Sequence, residues 1–200
     1  MTSQPEAGDL KALIRSRVPL VVIESRDELQ ATRPLPEEAF HQTGNQQKEY
    51  ADVSRVRLEM PDRFLFTTEV PLRVSDINYG GHLGNDAVLS LAQEARMRFL
   101  RSHGWMEQDV AGVGIIMTDA VVVYRSEAFY GDVLAIDVAV ADIGQLGCDF
   151  FFRMVNKASG KEVAQVKTGI VFFDYAKRKP SPVPAEFRRV CSSSSPPARP

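Results

Sequence analysis

Alternation of apolar and polar positions carries most of the structural signal in this chain of 200 residues. From Phe64 to Val74 the residues Phe64, Phe66, Val70, Leu72 and Val74 share one side of a period of two, which predicts a half-buried strand. Pro71 lacks an N–H and sets that strand at an edge or a bulge. From Asn85 to His103 the period lengthens, and Val88, Leu91, Ala92, Ala95 and Phe99 recur at helical spacing. Gly84, Asn85 and Asp86 bring capping chemistry and negative charge to the start of that helix, and Gly104 ends it. Its length is about nineteen residues, roughly 28 Å. Period two returns in Val113–Tyr124, Val133–Val140, Cys148–Val155 and Val163–Phe173, separated by turns at Gly131-Asp132, Gly144–Gly147 and Ala158–Lys161. No helix fits between these strands, so the connections are hairpins and the sheet is antiparallel. A strand, one long helix and four more strands predict an α+β domain of two layers, the sheet wrapped around the helix.

The flanks read differently. Asp9 to Arg26 predicts a short helix, a break at Pro19 and a buried-type strand Leu20–Ile23, and Gln30 to Asp52 is a Pro-, Gln- and Glu-rich linker. From Lys177 the chain is basic and then Pro/Ser-rich, a flexible tail by composition. The expected division is an N-terminal arm and linker over 1–57, the main domain over 58–178 and a tail over 179–200.

Composition narrows the class. An apolar fraction of 44% and a charged fraction of 25% are those of a globular domain. A net charge of −2 provides no field for nucleic acid or an anionic membrane. No apolar run approaches the length of a membrane span, and the N-terminus lacks a secretory pattern. Two cysteines, Cys148 and Cys191, are too few for a disulfide framework, which fits a reducing cytoplasm. His41, His82 and His103 lack ligand spacing, so no metal is expected.

The chemistry concentrates between the first strand and the helix, in Asp76–Gln93, DINYGGHLGNDAVLSLAQ. Arg73 to Arg96, RVSDINYGGHLGNDAVLSLAQEAR, resembles the signature of the 4-hydroxybenzoyl-CoA thioesterase-like family of hotdog acyl-CoA thioesterases. That signature runs Asp-x-Asp-x-x-Gly-His-Val-Asn-Asn with Glu-Ala-Arg on the following helix. Asp76, Gly81, His82 and Asn85 stand at matching positions, as do Glu94-Ala95-Arg96. Tyr124–Leu134, YRSEAFYGDVL, resembles the family's tyrosine-to-Gly-Asp turn. The chain departs from the signature at Asn78, where the family has its second aspartate, and at Gly84, where it has the first asparagine. A second resemblance, of Asp9–Glu28 to the opening of an AAA-type ATPase domain, is not followed by G-x-x-x-x-G-K-[ST] anywhere.

The family resemblance implies a hotdog fold and hydrolysis of an acyl-CoA or acyl-carrier-protein thioester by a homodimer or homotetramer, without a cofactor. A non-catalytic acyl-thioester binder is the rival expectation, favoured by Asn78. Thioester hydrolysis needs an oxyanion site and an activated water or an attacking carboxylate. Backbone N–H groups around His82–Asn85, with Gly81, Leu83, Gly84 and Asn85 as substrate-binding positions, are the oxyanion candidates; a plain tight turn is the other reading. His82 either orients the carbonyl or water, or fixes the turn by bonding Asp76. Asn78 is an amide that donates but does not act as base. Asp76 serves as the base or caps turn N–H groups; Asp86 caps the helix. Glu94 either serves a partner's site across a dimer or pairs with Arg98 at i,i+4. Met117, Val121, Val123, Phe150 and Phe152 are acyl-pocket or core candidates, and Lys177, Arg178, Lys179, Arg188 and Arg189 either meet phosphates or are solvated.

Overall fold

The structure is a computed structural model and describes residues 56–192 together with the short strand at 21–22. Its elements in chain order are β1 (Val21–Val22), β2 (Phe66–Pro71), a 3-10 turn (Val74–Asp76), α1 (Asn85–Ser102), β3 (Gly114–Tyr124), β4 (Val133–Ala141), β5 (Gly147–Asn156), β6 (Glu162–Asp174), β7 (Lys179–Pro180) and α2 (Ala185–Ser192). They form one sheet in the order β1-β3-β6-β5-β4-β2, with β7 paired to β6. Apart from the parallel β1–β3 pair, every pairing is antiparallel. β2 returns beside β4 because α1 carries the chain across one face of the sheet between β2 and β3.

The α1 stripe is the one its spacing predicts. Val88, Leu91, Ala92, Ala95 and Phe99 are all buried. Phe99 meets Phe66 and Phe150 edge-on, each with ring centroids 6.0 Å apart. The inward positions of the sheet, among them Val70, Leu134, Ile136, Phe152 and Ile170, complete one core with this helix.

Three expectations need correction. First, β2 stops at Pro71, and Val74 is 77% exposed at the start of the 3-10 turn rather than on the apolar face. Second, β3 carries a register shift between Met117 and Asp119. That bulge inverts the alternation, so Ala120 and Val122 point to the core while Val121 and Val123 take the other face, and Met117 is exposed. Third, the chain is not a flexible tail from 179 onward. β7 pairs with β6, and α2 buries Phe187 against Phe172 at 5.1 Å and Trp105 at 5.9 Å. Val183, Phe187 and Cys191 are spaced four apart and close the core at that end. Residues 193–200 lie outside the described part, as do those of the expected arm and linker other than 21–22 and 56–57.

Candidate active site

The turn between the 3-10 segment and α1 is built by backbone hydrogen bonds that leave little freedom. Asn78 N–H donates to the His82 carbonyl at 2.9 Å, Gly81 N–H to Asn78 at 3.0 Å and Gly84 N–H to Asp76 at 2.8 Å. Leu83 N–H crosses to the Ala128 carbonyl at 2.8 Å, tying this turn to the β3–β4 connection. Gly81 has φ +84, a conformation that its missing Cβ permits. Gly80 leaves room for the His82 ring: a Cβ there would lie 3.0 Å from Nε2. The sequence therefore places glycines where a turn must admit an imidazole.

At the start of α1 the geometry opens. Gly84 is the N-cap and has no side-chain cap. Ala87 N–H bonds back to Gly84 O at 3.1 Å, while the N–H groups of Asn85 and Asp86 find no acceptor among the described residues. Two unpaired donors thus stand at the positive end of an 18-residue helix, an arrangement that favours negative charge. Tyr124 Oη donates to the Asn85 carbonyl at 3.0 Å and holds this helix start on β3. Gly81, Leu83 and Gly84 have their own N–H groups engaged, so they shape the turn, and Asn85 supplies the open donor.

The side chains follow. Half-buried His82 has Nδ1 3.5 Å from Asn78 Nδ2 and 3.4 Å from the Leu83 carbonyl. A neutral imidazole makes one of these bonds at a time. Accepting from Asn78 puts the proton on Nε2; donating to Leu83 leaves Nε2 with a free lone pair. Asn78 Oδ1 is held by Gly80 N–H at 2.8 Å, which aims the amide nitrogen at the ring. Asp76 does not bond His82. Its carboxylate accepts Arg73 N–H at 2.7 Å and caps the 3-10 turn. A small pocket of about 70 Å³ joins His82, Asn85, Val88 and Tyr124 to the residues 125–128.

Other expected participants lie elsewhere. Glu94 bonds Arg98 at 2.7 Å, and Arg98 is held by Thr68 Oγ1 and the Glu69 carbonyl on β2. Glu94 thus faces the β2 flank of α1, whereas Gln93 and Arg96 line a hollow on the β3 flank. Phe150 and Phe152 are core residues, and Met117 borders that hollow. The basic cluster is dispersed into pairs: Lys177 with Asp174 at 2.9 Å, Arg189 with Glu186 at 3.7 Å, and Arg188 with the Ile143 and Gly144 carbonyls. The roles of Tyr124 at the helix start and of the Ala128 carbonyl were not read from the residues; an OH reaching a carbonyl 39 positions away has no local signal.

Among the described residues no cluster of potential metal ligands occurs. No helix there is long and apolar enough to cross a membrane.

A profile of the thioesterase-like superfamily matches residues 72–190, which spans the turn, α1 and the strands β3 to β7, and the chain belongs to that superfamily. Its fold is the hotdog fold of α+β acyl-CoA thioesterases. The 1,4-dihydroxy-2-naphthoyl-CoA thioesterase from Synechocystis superposes with a TM-score of 0.60 at 19% identity, over 66% of this chain and 98% of that one. A thioesterase from Thermus thermophilus, complexed with coenzyme A and Zn, gives 0.57 at 21% identity, over 66% and 95%. A Staphylococcus aureus protein in complex with CoA gives 0.57 at 17% identity, over 68% and 85%. At these identities the likeness shows the shared fold. No curated protein matches the chain.

Proposed function

We propose that this chain hydrolyses the thioester of an acyl-CoA or an acyl-carrier protein to a carboxylic acid and a thiol. The observation that carries the reading is the pair of open N–H groups at Asn85 and Asp86, with Asn85 lining the same small pocket as His82. The thioester carbonyl oxygen rests on those donors, which stabilise it as water adds to the carbon and negative charge collects on the oxygen. His82 in the tautomer that donates Nδ1–H to Leu83 takes the water's proton at Nε2. The tetrahedral intermediate collapses, the C–S bond breaks, and the proton passes to the departing thiolate. Asn78, whose amide nitrogen is then free of the ring, holds water with that nitrogen. Asp76 keeps the turn in shape through Arg73. In one chain Glu94 is engaged by Arg98, so a part for it requires a second copy.

The support for self-association is the edge strand. Among the described residues β3 meets only the two-residue β1 along its outer side, and a second copy would cover the remainder. A homodimer, or a tetramer built from it, is the assembly we propose, in a cytoplasmic setting consistent with the absence of a disulfide framework.

A second reading is favoured by one observation. Asn78 stands where a carboxylate would be expected, and Asp76 is already bonded. A protein that holds acyl thioesters without cleaving them fits that amide. Incubating the full chain with acyl-CoAs of graded length separates the two. Release of free acid and free thiol in equal amounts is expected. Tight binding with every thioester left intact would leave the binding reading.

A further inference from the structure

On the outer side of β3, among the described residues, β1 is the one neighbouring strand, and it pairs Val21 with Val121 and Val22 with Val122. So short a ladder offers few hydrogen bonds against the entropy cost of ordering the chain. Contacts on one side of it have to hold it in place. The residues that follow, Glu24 to Glu28, are charged or polar, and a Pro-, Gln- and Glu-rich stretch comes after them. The residues that precede it differ. At helical spacing Leu10, Leu13, Ile14 and Val18 form one apolar stripe, with Arg17 inside it, and Pro19 separates the stripe from β1.

The register gives what lies beside that stretch. β1 is parallel to β3, so the chain before Val21 heads toward the start of β3. Val18, three residues or about 10 Å earlier, comes level with the irregularity between Met117 and Asp119. A hollow of about 380 Å³ opens there, between α1 and the first residues of β3. Leu89, Ile116, Met117 and Tyr175 give it an apolar lining, and Met117 and Tyr175 are large apolar side chains left about half exposed. Two polar groups of the hollow still need partners. Thr168 is 1% exposed, and its Oγ1 has none among the described residues. Gln93 Nε2 donates to Glu107 at 3.3 Å, and its amide oxygen accepts nothing there. Native interiors rarely leave a buried hydroxyl open.

We propose that residues 10–18 of this chain dock in the hollow, with Leu13 and Ile14 covering Met117 and Leu89, and Arg17 donating to Gln93 and Thr168. An apolar lining with two open acceptors suits an apolar stripe that carries one guanidinium, a group with donors only. β1 tethers the segment beside its site, so docking is intramolecular and needs little affinity of its own. A second copy needs the same flank of β3. The docked segment holds that flank, and the assembly proposed above follows its release.

The test is oxidation of the full chain by dilute hydrogen peroxide, with sulfoxide formation read at each methionine by mass spectrometry. Met106 is the internal reference: it is 56% exposed against 49% for Met117, and it lies outside the hollow. At the lowest protein concentration the assay reads, Met117 should oxidise about fivefold or more slowly than Met106, as for a segment docked at least four-fifths of the time. In the double variant Leu13→Asp, Ile14→Asp the two rates should converge, with the Met106 rate unchanged. Ala12→Asp, on the opposite side of the stripe, should keep Met117 protected. Equal rates in the native chain overturn the proposal. So does protection that appears only as protein concentration rises, which is the mark of a second copy, and so does protection that the double variant leaves in place.

Discussion

The phenol of Tyr124 donates to the backbone carbonyl of Asn85 at 3.0 Å, joining the last residue of β3 to the first residue of α1. The bond matters because the neighbouring N–H groups of Asn85 and Asp86 are the open donors of the site. Their aim depends on where the helix begins. Tyr124→Phe keeps the ring and removes the tether. Steady-state kinetics should show kcat reduced severalfold, with a stability loss limited to the roughly 0.5–1.5 kcal/mol of one hydrogen bond. Unchanged kcat with an equal stability loss would make the tether merely structural.

Asn78 and His82 are coupled through the 3.5 Å approach of Nδ2 to Nδ1. Asn78→Asp keeps the acceptor that Gly80 N–H needs and puts a negative charge beside the ring. A carboxylate has no N–H with which to hold water as the amide does, so kcat at neutral pH should fall severalfold. A strong gain in rate at neutral pH would instead identify a carboxylate as the group this site lacks.

Burial pushes the Cys191 thiol up to about 12, and Cys148 is 1% exposed. Thiolate is the reactive form, so the Cys191 sulfur is protonated at neutral pH, and burial shields both sulfurs. A thiol reagent added to the native protein should titrate neither, and both should react once the protein is unfolded. Fast reaction of a thiol in the folded state would show that α2 does not stay closed over the core.

The same helix is tested directly at Phe187, which is 1% exposed and packs on Phe172 and Trp105. Phe187→Ala should cost about 3–5 kcal/mol in denaturant unfolding, the range for deleting a buried phenyl ring. A change below about 1 kcal/mol, the range of surface substitutions, would mean that residues 185–192 contribute little to the fold.

Local periodicity was enough for α1 and for the antiparallel order, because Val88, Leu91, Ala92, Ala95 and Phe99 carry a helical repeat that no strand shares. It was misleading at β3. The bulge between Met117 and Asp119 resets the phase of every later position, and nothing in IIMTDAVVV marks where the extra residue falls. The folded segment after Lys179 was masked by its basic and Pro-rich composition, although Val183, Phe187 and Cys191 carry a helical spacing. At the site, the Gly-rich histidine turn was legible. The hydrogen-bond partners were not: Asp76 turned to Arg73, and Glu94 was drawn with Arg98 to β2. Such choices depend on which neighbour the fold brings within reach.

The central claim is that acyl thioesters are cleaved at the start of α1 with His82 moving the proton. The most direct measurement is kcat/KM for thiol release by the native chain and by His82→Ala, on the acyl-CoA that the native chain turns over best. The account predicts a loss of about two to four orders of magnitude, the usual contribution of a positioned acid–base group, with the melting temperature little changed. Equal rates for the two proteins, each folded, would contradict it.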